Sequence, residues 1–94
     1  MHGSVWKFRG DPDELLEAYD GLVAEILPAV MVHVCLRAPD GILLVDTCPD
    51  RAAFERFAGG DDFRALRERH GLPEPERVDD FPVHAAVVDG IRRP

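Results

Sequence analysis

Chemistry in this chain of 94 residues has few places to come from. There is no Asn or Gln, one Ser (Ser4), one Thr (Thr47) and one Tyr (Tyr19), and the cations are ten Arg and one Lys, Lys7. Neutral side-chain hydrogen bonding is therefore scarce. Acid–base work falls to imidazoles and carboxylates, with two thiols in reserve. The candidates are His33 and Cys35 in the run Met31 to Arg37, Asp46 and Cys48 in Ile42 to Cys48, and His84 in Pro82 to Asp89.

The first two runs are β-branched and flank Ala38-Pro39-Asp40-Gly41, a turn signal that predicts a β-hairpin. A two-residue loop on Pro39-Asp40 sets His33 opposite Asp46 and Cys35 opposite Leu44. Directly opposed side chains have Cβ atoms about 5 Å apart, close enough for an imidazole–carboxylate pair. Such a carboxylate orients the ring, and the imidazole becomes a general base for a phenol or an acidic C–H near neutral pH. A three-residue turn with a bulge would instead set Thr47 opposite His33, and the pair dissolves. The bland reading of His33 and Asp46 is a buried pair that satisfies only itself.

The two cysteines sit roughly 13 Å apart along the strands, too far for a disulfide. A metal centre can be drawn from His33, Cys35, Asp46 and Cys48, but the close paired spacing of zinc sites is missing. No metal and no prosthetic group is expected. The single serine leaves no Ser–His–Asp nucleophile.

The positioning elements read clearly. Ser4 to Arg9 alternates with Trp6 and Phe8 on one side, a first strand. Asp11-Pro12-Asp13-Glu14 starts a helix, Leu15, Leu16, Tyr19, Leu22, Val23 and Ile26 give it a buried face, and Pro28 ends it. Pro49 opens a second helix carrying Phe54 and Phe57, interrupted at Gly59-Gly60 and resumed from Asp61 to His70, with Gly71 as C-cap. Leu72 to Glu76 is an extended connector, Pro82 to Asp89 a last strand, and residues 1–3 and 91–94 loose termini.

The order β-α-β-β-α-β is that of a single α+β, ferredoxin-like domain spanning residues 1–94, with an antiparallel sheet 4-1-3-2 and the helices on one face. Alternation suggests Val32, Val34, Leu36, Leu43, Val45 and Thr47 lie under the helices. That leaves Met31, His33, Cys35, Arg37, Ile42, Leu44, Asp46 and Cys48 uncovered, a half-polar face suited to a pocket against a second copy. A C2 homodimer follows from that reading. On it, Cys35, Leu44, Cys48 and Ala86 would contact a hydrophobic small molecule, joined by Lys7 close to Asp46 if Trp6 and Phe8 face the helices rather than the barrel, while His33, Asp46 and His84 carry the chemistry.

The Trp-x-Phe first strand, the Asp-Pro-Asp-Glu helix start, His33 and the segment Asp46 to Phe57 (DTCPDRAAFERF) together resemble the dimeric α+β barrel superfamily. Within it, length and layout are similar to the antibiotic-biosynthesis-monooxygenase-like domains. That resemblance implies a cofactor-independent monooxygenase or cyclase acting on an aromatic or polyketide-like substrate. The alternative is a non-catalytic dimeric module that binds a small molecule or regulates. The Asn–Trp–His set of haem-degrading members cannot be formed without Asn.

Charge and hydropathy set the outer limits. Eighteen acids against eleven bases give −7, which repels nucleic acid and anionic membrane surfaces. No apolar run approaches the roughly 18 residues of a membrane helix. With two cysteines too few for a disulfide scaffold, a cytoplasmic setting is the expectation.

Overall fold

The computed structural model describes residues 1–26 and 31–93. Four strands, β1 (His2–Arg9), β2 (His33–Ala38), β3 (Gly41–Cys48) and β4 (Arg77–Pro82), form one antiparallel sheet in the order β2-β3-β1-β4. This is the ferredoxin-like sheet order expected from the sequence. Helix α1 (Pro12–Ile26) joins β1 to β2, and the broken second helix appears as α2 (Arg51–Ala58) and α3 (Asp61–His70). The expected stop at Pro28 lies outside the described residues.

Local chemistry accounts for these boundaries. The Asp11 carboxylate accepts from the Glu14 amide at 3.0 Å and caps α1. Asp50, not Pro49, starts α2, because its side chain accepts from the Ala53 amide at 2.8 Å. Gly71 closes α3 in the left-handed conformation at φ 78°, where a Cβ would be strained.

β1 alternates in burial along its length, with His2, Ser4, Trp6 and Phe8 buried. Its register against β3 places Trp6 beside Leu44, Phe8 beside Ile42 and Ser4 beside Asp46. Those rows meet Leu15, Leu22 and Ile26 of α1 and Phe63 of α3 in one core. The bulk of Trp6 and Phe8 therefore selects which face the helices cover, and through the pairing it takes Leu44, Asp46, His33 and Cys35 with it.

Two expectations are corrected here. The face under the helices is the mixed one, and the uncovered face is apolar across β2 and β3, where Val34, Leu36 and Val45 are exposed with Val5 and Leu43 beside them, and charged towards β4, where Lys7, Arg77 and Asp79 lie. The C-terminal segment is also displaced. The fourth strand ends at Pro82, where the last strand was expected to begin. Ala86–Val88 (β5) and Ile91–Arg93 (β6) make a separate two-stranded hairpin across Asp89-Gly90. His2 starts β1, and Ile91–Arg93 is a strand rather than a tail.

Gly41 is the tightest point of the sheet. Its φ is +157°, and a Cβ there would lie 1.9 Å from the Phe8 carbonyl oxygen. Gly41→Ala must push β3 off β1 at the start of the hairpin. The expected cost is about 3 kcal/mol, seen as a fall in Tm of roughly 10–20 °C by circular dichroism.

Candidate active site

The hairpin turns on Pro39-Asp40 as a two-residue loop, and His33 pairs with Asp46 and Cys35 with Leu44. One polar row then crosses the sheet on its helix-covered side. Asp80 of β4 neighbours Ser4 of β1, Ser4 neighbours Asp46 of β3, and Asp46 neighbours His33 of β2. The side chains of His33 and Asp46 are only 10% and 15% exposed.

His33 is held from α1. Its Nε2 lies 2.8 Å from the Tyr19 hydroxyl, and the two rings are nearly parallel. Its Nδ1 lies 3.6 Å from Asp46 Oδ2, within ion-pair reach but beyond a hydrogen bond. His33 Nδ1 and Asp46 Oδ1 are buried and have no hydrogen-bond partner in the fold. Leaving a buried acceptor or donor unpaired typically costs about 1–3 kcal/mol, so two at one point mark a place where the fold alone is incomplete.

Both groups line a narrow cavity beneath Trp6, Leu44, Phe57 and Phe63, with about 10 Å³ free, room for one oxygen-sized atom. Asp46 and Phe57 also line a wider cavity of about 190 Å³ between β3 and α2, where Ser4, Thr47, Cys48 and Phe54 complete the wall. Helix α2 has no fully buried residue, so this roof rests on the sheet through Phe54 and Phe57. Trp6, edge-on to Phe63 at 5.2 Å between centroids, closes the inner end, its indole N–H donating to Ser4 Oγ at 2.9 Å.

The remaining candidates separate. Leu44 is core and roofs the narrow cavity, and Cys48 lines the wider one while its thiol donates to the Asp50 carbonyl at 3.2 Å. Cys35 packs against the core. Both cysteines are free, and burial pushes each thiol above its ordinary pKa, so neither is a thiolate at neutral pH. Lys7 does pair with a carboxylate, but on the opposite face of the sheet, donating to Asp40 at 2.7 Å and not approaching Asp46. His84 lies exposed in the bend after β4 rather than on a strand, and Ala86 belongs to the separate hairpin. Neither lines the described cavities around His33 and Asp46.

Tyr19 was read from the sequence only as a core position of α1; that it is the chain's single tyrosine, on the helix that packs over His33, was the one available signal. A second imidazole–carboxylate contact, His2 Nε2 to Asp80 Oδ2 at 2.7 Å, reaches the β4 end of that row from the next row along and was also missed. His2 is buried because strand alternation runs to the start of the chain.

Burial, with smaller contributions from Cys35, Asp20 and Asp46, pushes the Tyr19 hydroxyl from 10.0 up to about 12. It is a neutral phenol at every physiological pH. Because folding favours the protonated phenol, the stability tied to it is complete below pH 10 and is lost as pH rises towards 12. The chain has no other tyrosine. Ultraviolet titration of the phenolate band is therefore expected to show one midpoint near 12 in the folded protein, falling to about 10 in denaturant.

No protein-family model and no curated protein matches the chain. Solved structures do. A candidate antibiotic biosynthesis monooxygenase from Chloroflexus aurantiacus J-10-fl aligns with TM-score 0.60 at 14% identity, covering 87% of this chain and 92% of that one. A variant of SnoaB, a cofactor-independent oxygenase from Streptomyces nogalater, aligns with TM-score 0.61 at 17% identity over 88% and 90%. A dimeric ferredoxin-like protein of unknown function from Jannaschia sp. CCS1 gives 0.53 at 17% over 87% and 97%. In fold, the chain is a ferredoxin-like α+β domain of the kind seen in antibiotic-biosynthesis-monooxygenase structures.

Proposed function

We propose that the protein is a small-molecule enzyme of the cofactor-independent monooxygenase or cyclase type, with His33 as its base. The carrying observation is the pair of buried, unpartnered atoms His33 Nδ1 and Asp46 Oδ1, set where a one-atom cavity adjoins a larger apolar one. An aromatic or polyketide-like substrate lies under α2 against Phe54 and Phe57 and projects a hydroxyl into the narrow cavity. With its hydrogen on Nε2, donated to Tyr19, the imidazole keeps the Nδ1 lone pair free for the substrate proton. Asp46 then stands beside the imidazolium that forms. The phenolate or carbanion left behind is electron-rich: it adds dioxygen to give a hydroperoxide that loses water to leave a quinone, the substrate itself supplying the electrons, or it adds to an internal carbonyl, the alkoxide so formed taking back the proton from His33. Likeness in fold to SnoaB supports this reading.

The working unit is a homodimer. Val34, Leu36 and Val45 expose 38–47% of their surface on the uncovered face. An apolar sheet face without helices requires a cover, and the Jannaschia protein of the same fold is dimeric.

Air-oxidisable dihydroxynaphthalenes and related polycyclic phenols, followed by oxygen consumption and product mass, test the chemistry. His33→Ala is expected to lower kcat by about 10²–10⁴-fold with KM little changed. Intact turnover with weakened binding would instead assign the pocket to a binding module. For the dimer, sedimentation of the wild type at micromolar concentration is expected to give two chains, and Leu36→Glu one. A monomeric wild type overturns the assembly.

A further inference from the structure

Arg67 is a buried cation that the fold does not neutralise. It is 7% exposed, yet among the described residues its guanidinium meets no carboxylate. Its one hydrogen bond runs from Nη1 to the Leu72 carbonyl at 3.4 Å, and its Cζ lies 5.9 Å from the centre of the Phe63 ring. Taking a guanidinium out of water is costly unless an anion or a full set of acceptors replaces the water. One long bond and one aromatic face leave its other donors without a protein partner among the described residues, and these are not sealed in the interior but open onto a cavity.

Those donors sit beside the largest described cavity, about 410 Å³, which Arg67 lines together with Trp6, Phe63 and Val78. Asp61 and Arg64 line it too, but they pair with each other at 3.0 Å, so their charges cancel and Arg67 remains as one positive charge in excess. The same cavity holds the start of α3. Gly60 is the N-cap and supplies no side-chain acceptor, so the first-turn amides keep their donors. Long side chains on a helix lean towards its N-terminus, which carries the guanidinium back over Phe63 in that direction. The walls join an apolar side of Trp6, Phe63, Pro75 and Val78 to a charged side of Asp61, Arg64 and Arg67, the volume suits a small organic molecule, and the net charge of the lining is positive on a chain of net charge −7.

We propose that this cavity binds a small organic carboxylate with an apolar body, the carboxylate on the Arg67 guanidinium and the body against Trp6, Phe63 and Val78. Arginine suits that group because its planar fork matches two carboxylate oxygens. Trp6 and Phe63 form the partition between this chamber and the His33 cavity, so the two sites share a wall and no polar group. The inference stands independently of the chemistry assigned to His33.

Trp6 is the only tryptophan and lines the cavity, which makes its fluorescence the readout. The probes are adamantane carboxylate and its neutral isostere adamantane carboxamide. The carboxylate is expected to saturate the signal, and the carboxamide to bind at least about tenfold more weakly. Arg67→Met is expected to remove that preference while leaving Tm within a few degrees of the wild type, since it keeps the apolar stem and gives up one long hydrogen bond, and His33→Ala to leave binding unchanged. Should Arg67→Met fail to fold, the wild-type preference and its reduction in Arg67→Lys decide. Equal affinities for the two probes, no saturation by either, or undiminished carboxylate binding in a folded Arg67→Met protein would each overturn the site.

Discussion

The pairing of β2 with β3 across Pro39-Asp40 is the constraint on which the site depends. Side chains alternate along a strand, so a slip of one residue would send His33 and Asp46 to opposite faces. Two features prevent it. Pro39 and Asp40 make the shortest hairpin loop, and Gly41 brings β3 so close to the Phe8 carbonyl that no side chain fits between. Asp40 also accepts from Lys7 and, through its carbonyl, from the Gly10 amide, which anchors the turn to β1. The turn and the neighbouring strand thus fix the same register.

Packing then decides what that register is for. Trp6 and Phe8 are the bulkiest buried side chains of the sheet and have the helices over them, whereas Phe81 of β4 stays exposed on the other face. Because Trp6 shares a row with Leu44 and Ser4 shares one with Asp46, the polar row is carried into the sheet–helix crevice along with the aromatics. The result places a histidine and an aspartate where water is largely excluded, with Tyr19 of α1 as the outer partner. The fold accepts two unpaired buried atoms there, a local cost of the kind that accompanies a site built for another molecule.

On this arrangement α2 is the least committed element of the roof. It touches the sheet through Phe54 and Phe57 and stands between the described cavities on one side of the molecule. α3 is held more firmly. Phe63 is buried, and Arg69 and His70 reach across to Glu25 of α1, whose carboxyl these contacts hold below its ordinary pKa. Of the two, α2 is therefore the more weakly packed, and ligand-binding elements are drawn from that end of a fold.

The sequence by itself determined the order of elements through α3, the caps at Asp11 and Gly71 and the sheet order, and it narrowed the hairpin register to two choices, since each rests on local residue chemistry or chain connectivity. It did not determine which face the helices cover. Val34, Leu36 and Val45 read as core by hydropathy alone, and only the volume of Trp6 and Phe8, transmitted through cross-strand pairing, put them outside. Nor did it place β4, for Arg77 to Pro82 carries Asp79 and Asp80 and looks like a connector until Asp80 meets His2. Tyr19 against His33, and Arg67 beside an open cavity, are contacts between residues distant in the chain or set by a helix's rotation about its axis. Such contacts depend on the packed whole, and tertiary structure alone decided them.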